Sequence, residues 1–382
     1  MMLTPPSNPT ESLSPEPPKG EFGRRTFPCR SCGADLEFHI GQQQLKCPFC
    51  GFEKELATTE GAEVRENDLE AMLAAVRARR IRQSEEVESG VKEVQCGECG
   101  ANVQFVGSYT SRDCAYCGSP IQLTGVHDAE TRVPVDGILP FKIEKSQARN
   151  NLDRWLSSRW FLPGDLKQQG IDARFQGVYM PFWTFDAMTA TRYTGRRGDH
   201  YEVRVGSGDN EKVEQRTRWT PVSGSFQHFF DDELVLATKD FPEKIIDRLQ
   251  PWPLPEVVPW NQELLAGYYA RTYDIELDPG FQQGKNRITT VIESMVKRRI
   301  GGDQQRIDTL HTEWAALTYK HLLLPLYLLA FKYAGKQYQV VVNAASGKVQ
   351  GERPWSRRKL ALAGLVIAAV IGAGYFFFKS NA

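Results

Sequence analysis

Eight cysteines arranged in four Cys-x-x-Cys-Gly knuckles constrain this chain more than any other feature. Cys29-Arg-Ser-Cys32-Gly33 and Cys47-Pro-Phe-Cys50-Gly51 form one set; Cys96-Gly-Glu-Cys99-Gly100 and Cys114-Ala-Tyr-Cys117-Gly118 form the other, at a constant offset of 67 positions. The neighbours repeat too, Cys32-Gly-Ala-Asp-Leu-Glu-Phe matching Cys99-Gly-Ala-Asn-Val-Gln-Phe, so the segment is an internal duplication. A Cys-x-x-Cys turn points two sulfurs to one side, and the glycine that follows lets the backbone close over them with its amides facing the thiolates. Two knuckles complete one tetrahedral shell. The residues between them suit a β-hairpin: Ala34–Phe38 out and Gln43–Lys46 back, or Asn102–Val106 out and Ser111–Asp113 back.

This spacing predicts two Zn2+ ions, one on Cys29, Cys32, Cys47 and Cys50 and one on Cys96, Cys99, Cys114 and Cys117. Iron in a rubredoxin-type site would use the same ligands. Disulfides are disfavoured in a reducing compartment, and a redox dithiol has no need of four glycine-followed knuckles. Zinc would stand in for a core that modules this short cannot build, so that binding free energy becomes folding free energy. His39 and His127 lie near the sites, but four sulfurs already fill each shell.

Composition divides the chain into a disordered Pro-rich lead (1–21), a first zinc ribbon (22–56), a charged helical linker (57–90), a second ribbon (91–124), a large domain (133–355) and an apolar tail (360–378). The lead has neither a basic nor an apolar region of the kind a signal peptide needs. In the linker, Leu69, Met72, Leu73 and Val76 share one helical face. All eight tryptophans follow residue 150, which puts the main core in the large domain.

The large domain opens with a strand at Leu139–Ile143, then a helix capped by Ser146 with Ala148, Leu152, Trp155 and Leu156 on one face and Pro163-Gly164 at its end. Strands are expected at 178–193 and 213–230, joined through Gly195, Gly198, Gly206 and Gly208, and again at 312–319, 322–333 and 338–343. Between the two groups lies a helix carrying Ile288, Val291, Ile292, Met295 and Val296, stopped by Gly301-Gly302. Met180-Pro-Phe-Trp and Leu324-Pro-Leu-Tyr are alike enough to hint at two related halves. The expected class is α+β: two tandem rubredoxin-like ribbons, a larger antiparallel-sheet domain and one C-terminal transmembrane helix.

That last element rests on Leu360–Phe378, a run without a charge. At about 1.5 Å per residue it matches a hydrocarbon core of about 30 Å. Arg353, Arg357, Arg358 and Lys359 precede it and only Lys379 follows, with Trp355 and Tyr375 at the interfaces, so the positive-inside bias predicts a single-pass, tail-anchored protein whose N-terminal domains face the cytoplasm. Membrane lipid is then one expected partner. Gly364, Ala368 and Gly372, four residues apart, suggest a homodimer face.

No catalytic constellation is legible. The 47 basic and 47 acidic residues cancel, removing the long-range field of a general nucleic-acid binder. Gly335-Lys336 and Gly347-Lys348 lack the rest of a phosphate loop, and there is no His-Glu-x-x-His or Gly-x-Ser-x-Gly. Asp231-Asp232-Glu233 reads as a solvated turn, and His228, His311 and His321 as isolated histidines. Arg24, Arg25, Arg30, Lys46 and Lys54 around the first ribbon are offset by Asp35, Glu37, Glu53 and Glu55; Lys92 and Arg112 of the second face Glu93, Glu98 and Asp113. The ribbons therefore point to protein contact before nucleic acid. A non-enzymatic adaptor is the expected function, with a nucleic-acid-binding ribbon protein as the alternative.

The paired knuckles, Leu139-Pro-Phe-Lys-Ile, Tyr179-Met-Pro-Phe-Trp-Thr-Phe, Leu323-Leu-Pro-Leu-Tyr, and Val342-Asn-Ala-Ala-Ser-Gly-Lys-Val before Gly351-Glu-Arg-Pro resemble a bacterial family of membrane proteins with zinc ribbons like those of transcription factor IIB. Its members are often labelled after a primosomal replication helicase. The resemblance covers about residues 25–380. It implies a bacterial inner-membrane adaptor working with membrane-stress scaffold proteins; the helicase label would need nucleotide motifs this chain lacks.

Overall fold

A computed structural model describes residues 29–34, 36–56, 64–83, 91–95, 102–106, 111–113, 120–122, 126–128, 133–163, 175–206, 212–239 and 241–380. The first ribbon is a three-stranded antiparallel sheet of β1 (Glu37–His39), β2 (Gln44–Lys46) and β3 (Glu53–Lys54), with Phe38 opposite Leu45. A short strand β4 (Asn67–Asp68) leads into α1 (Leu69–Gln83), where Asp68 Oδ1 accepts from the Ala71 amide at 2.7 Å and caps the first turn. The face expected from the linker sequence is the one that packs: Leu69 is buried, with Met72, Leu73 and Val76 against the same cluster.

In the second repeat, β5 (Val91–Gln95) pairs with β6 (Asn102–Val106) and with a later strand, while β7 (Ser111–Asp113) pairs with β8 (Pro120–Gln122) and β9 (Val126–Asp128) closes on β5. Asn102–Val106 thus partners the strand before it and not Ser111–Asp113. Cys96, Cys99, Cys114 and Cys117 lie outside the described residues.

The large domain is dominated by sheet. After β10 (Gly137–Ile138) and α2 (Lys145–Ser157) come β11 (Phe175–Val205) and β12 (Lys212–Leu236), then α3 (Glu243–Asp247), β13 (Val258–Pro259), β14 (Tyr269–Ala270), α4 (Leu277–Ile300), β15 (Gln304–Tyr333), β16 (Lys336–Asn343) and β17 (Val349–Gly351). The order is β12-β11-β15-β10-β13; β14 joins β11, β4 and β16 join β15, and β17 joins β16. Pairing is antiparallel except β10 on β15 and β11 on β14. Strand 139–143 shifts to Gly137–Ile138, and α2 starts after Glu144, with Ser146 inside the helix. The two strands expected at 312–319 and 322–333 are one, β15, because β11 pairs along nearly its whole length. The Met180-Pro and Leu324-Pro segments lie side by side, Met180 opposite Leu324.

One face of the sheet's root carries α1, α2, the start of α4 and the first ribbon, over Tyr179, Trp183, Phe185 and Tyr327. The other carries α3 with Leu249 and Trp252, over Val178, Met180, Phe182, Leu322 and Leu324. Beyond the root, β11, β12 and β15 continue as a three-stranded arm with α4 along one face through Ile288, Ile292, Val296 and Ile300.

The final helix, α5 (Arg357–Ser380), corrects the expected membrane anchor. Among the described residues no helix is long and apolar enough to cross a membrane. The transmembrane part of the expected α+β class, the single-pass, tail-anchored topology and the inner-membrane placement fall with it; the body is mostly sheet with few helices. The helix start is tied down locally, Lys359 Nζ donating to the carbonyls of Trp160 and Leu162.

Candidate metal centre

The two knuckles of the first ribbon are built alike. Gly33 and Gly51 stand at φ 76° and 75°, in the left-handed region that favours glycine. Each donates its amide to the carbonyl of the first cysteine of its knuckle, Gly33 to Cys29 at 2.9 Å and Gly51 to Cys47 at 3.1 Å. The turn so closed aims both sulfurs inward, and the Ser31 amide points at Cys29 Sγ at 3.4 Å.

The four sulfurs converge. Cys29 Sγ lies 3.6 Å from Cys50 Sγ and Cys32 Sγ 3.5 Å from Cys47 Sγ, all four within 4.8 Å of one another. A tetrahedral zinc with bonds of about 2.3 Å sets its sulfurs about 3.8 Å apart, whereas a disulfide needs about 2.05 Å. Cys29, Cys32, Cys47 and Cys50 therefore fit one zinc ion. The Phe52 amide, with help from Cys32, lowers the Cys50 thiol to about 6. At Cys32 the Ala34 amide lowers, but the Cys50 and Cys47 sulfurs outweigh it and raise the thiol to about 12. Without a cation at the centre one thiolate forms easily and the next resists, a conflict that a divalent ion removes. No second four-cysteine cluster is seen among the described residues, which leave out Cys96, Cys99, Cys114 and Cys117.

This ribbon is not a free-standing module. Cys29, Leu36, Phe38, Leu45 and Cys47 are buried in one cluster with Ile138, Phe141, Leu264 and Ala266 of the large domain. The Phe38 amide donates to the Ala266 carbonyl at 3.1 Å, Gln43 Nε2 to the Phe141 carbonyl at 3.3 Å, and Lys54 pairs with Glu263. The outer side of the knuckles stays open: Cys32 and Cys50 are exposed, and Phe49 is 81% exposed.

A second constellation escaped the sequence reading. Asp231-Asp232-Glu233, expected as a solvated turn, lies within β12. Asp232 and Ala316 adopt φ 51° and 49°, and the pairing register of β11 with both neighbours slips at this level, so a bulge flanks β11 on each side. Asp186, buried between them, accepts from the Asp232 amide at 2.7 Å and from Thr318 Oγ1 at 2.9 Å. Lys320 Nζ pairs with Glu66 at 2.5 Å and Asp232 at 2.7 Å. Burial, and Asp186 beside it, push the Glu66 carboxyl above its ordinary range. One signal was available: a lone aspartate ending the aromatic run Phe182-Trp-Thr-Phe-Asp186. His228, His311 and His321 do not converge; His321 is packed against Trp183, its Nδ1 at the Val133 and Pro134 carbonyls.

The chain is 24% identical over 343 residues to an uncharacterised protein of Bacillus subtilis, YdjG, a match covering 88% of this chain and 92% of that protein. No family model matches. No solved structure matches.

Proposed function

We propose that this chain is a non-enzymatic adaptor in which zinc fixes a protein-docking ribbon to a sheet domain. The single observation that carries this reading is the placement of the four-cysteine cluster: two sulfurs buried in the core shared with the large domain, two at an outer rim beside exposed Phe49. Four sulfurs leave no open position for a substrate or water, which makes the metal structural. The duplicated knuckles put a second zinc on Cys96, Cys99, Cys114 and Cys117. The arm adds little for nucleic acid, since Arg192 is paired with Glu313 and Arg196 with Asp308, and a strong basic face is what phosphate binding needs.

The test uses the full chain. Metal analysis should find two zinc ions per chain, and cross-linking in cells should capture a reproducible protein set that Phe49→Ser loses while keeping zinc content. Zinc at stoichiometry with no protein partner, or DNA affinity that falls steeply with salt and needs the ribbons, would overturn the adaptor reading.

A further inference from the structure

The double-bulge junction between root and arm has the makings of a second, chemically different metal site. Glu66, Asp186 and Asp232 each offer one carboxylate oxygen, all within 4.8 Å of one another, from three separate elements: the segment before β4, β11 and β12. Three carboxylates face one ammonium, Lys320, so the junction is short of positive charge. The donors are short too. Thr318 Oγ1 lies 3.0 Å from Glu66 Oε2 and 2.9 Å from Asp186 Oδ2, yet a hydroxyl has one proton and can donate to only one of them.

A separate observation points the same way. Thr184 precedes Asp186 by two residues on the same face of β11 and stands directly opposite Lys320 on β15. Its side chain is fully buried and its Oγ1 has no hydrogen-bond partner among the described residues. Burying a hydroxyl without a partner is costly, and an ion ligated or approached by that oxygen would offset the cost.

We propose that Glu66, Asp186 and Asp232 bind one calcium ion at this junction, with Thr184 Oγ1 directed toward it and the Lys320 ammonium swung aside. The donor set is all oxygen, which selects a hard cation over zinc. Ca2+ takes six to eight oxygens in flexible geometry, whereas Mg2+ keeps several waters and is usually held by only one or two carboxylates. Three protein carboxylates beside a buried hydroxyl suit calcium. Binding would clamp the ribbon's linker to β11 and to the β12 bulge at once.

Calorimetric titration of the zinc-loaded full chain with CaCl2 and, separately, MgCl2 tests this. One Ca2+ per chain is expected, bound more tightly than Mg2+ and raising the unfolding midpoint. Glu66→Gln and Asp186→Asn should each weaken calcium at least ten-fold and Thr184→Val less, while Lys320→Gln, which removes the competing cation, should strengthen it. That gain would not arise if Lys320 served only the fold. Zinc content and circular dichroism check each variant; should Asp186→Asn fail to fold, Glu66→Gln and Lys320→Gln decide, since Glu66 sits on the linker outside the three long strands. No calcium heat at millimolar concentration, tighter magnesium than calcium, or calcium binding indifferent to Glu66→Gln and weakened by Lys320→Gln would overturn the proposal.

Discussion

The same three strands are written in two styles. At the root, β11 runs Val178, Tyr179, Met180, Phe182, Trp183, Phe185, all buried, because helices or the ribbon cover one face and the α3 segment the other. In the arm the strand alternates: Ala187, Thr189, Thr191 and Tyr193 are buried, the last in α4's cluster, while Arg192, Thr194 and Arg196 face outward. Period-two side-chain geometry makes the first pattern diagnostic of a strand covered on both faces and the second of a strand covered on one. The change falls at Asp186, where the two bulges sit. Root and arm are thus one backbone with two burial regimes, and the substitutions below separate them.

Removing the metal should hit hardest, and should hit the root. Cys47→Ser, or zinc extraction by a chelator, takes away a site whose binding energy is folding energy. Because Cys29 and Cys47 share a cluster with Ile138 and Phe141, we expect a loss above about 3 kcal/mol and a lower unfolding midpoint for the whole root, read by tryptophan fluorescence. A ribbon that melts alone, leaving the root's midpoint unchanged, would break the link between the two.

Trp183→Ala comes next. The ring is fully buried against Tyr273 and His321, and its Nε1 donates to the Ile275 carbonyl at 2.9 Å. Gly280 of α4 packs so close that an added Cβ would lie 2.6 Å from the indole, which leaves the helix poorly able to collapse into the gap. A loss of about 3–5 kcal/mol in urea unfolding is expected.

A pH effect at the root should be smaller. Burial holds the Asp136 carboxyl above its ordinary 3.8, against the His321 amide and Asn67, which favour its charge. A raised carboxyl means the folded state binds the proton more tightly, so its contribution is fully present below 3.8 and is lost as pH climbs through the folded value. One group changes stability by at most about 1.4 kcal/mol per pH unit. Asp136→Asn, which can still accept from the His321 amide at 2.7 Å, should flatten the stability-versus-pH curve just above pH 3.8; an unchanged slope would assign it to other carboxyls.

What could be read in the sequence was local. The knuckles announce themselves because every ligand is set by its own turn, and α1 and α4 follow from apolar spacing one turn apart. Strand lengths were under-read because β11 past residue 193 and β15 before residue 312 are sustained by each other, Thr194 opposite Thr309 and Gly198 opposite Gln304, across more than a hundred residues of sequence. The junction was missed for the same reason: Asp232 looks like a solvated turn until Asp186 and Lys320 arrive from distant strands. The apolar tail was read as an anchor, whereas among the described residues no helix is long and apolar enough to cross a membrane.

The arm's open face should be the least sensitive part of the sheet. Met188 and Phe229 are cross-strand neighbours there, 39% and 48% exposed, and Arg196 pairs with Asp308 at 2.9 Å with both side chains about half exposed. Such an ion pair gains little in high dielectric and spends side-chain freedom to form, so Arg196→Ala should barely change stability, and less still as salt rises. Met188→Ala should stay within about 0.5 kcal/mol. Equal burial of both faces along the whole strand would instead make Met188→Ala cost as much as a core truncation, roughly 2–5 kcal/mol. A Met188→Ala loss in that range would mean that something covers the open face in solution, and the contrast between root and arm would then end at the bulges only in the isolated chain.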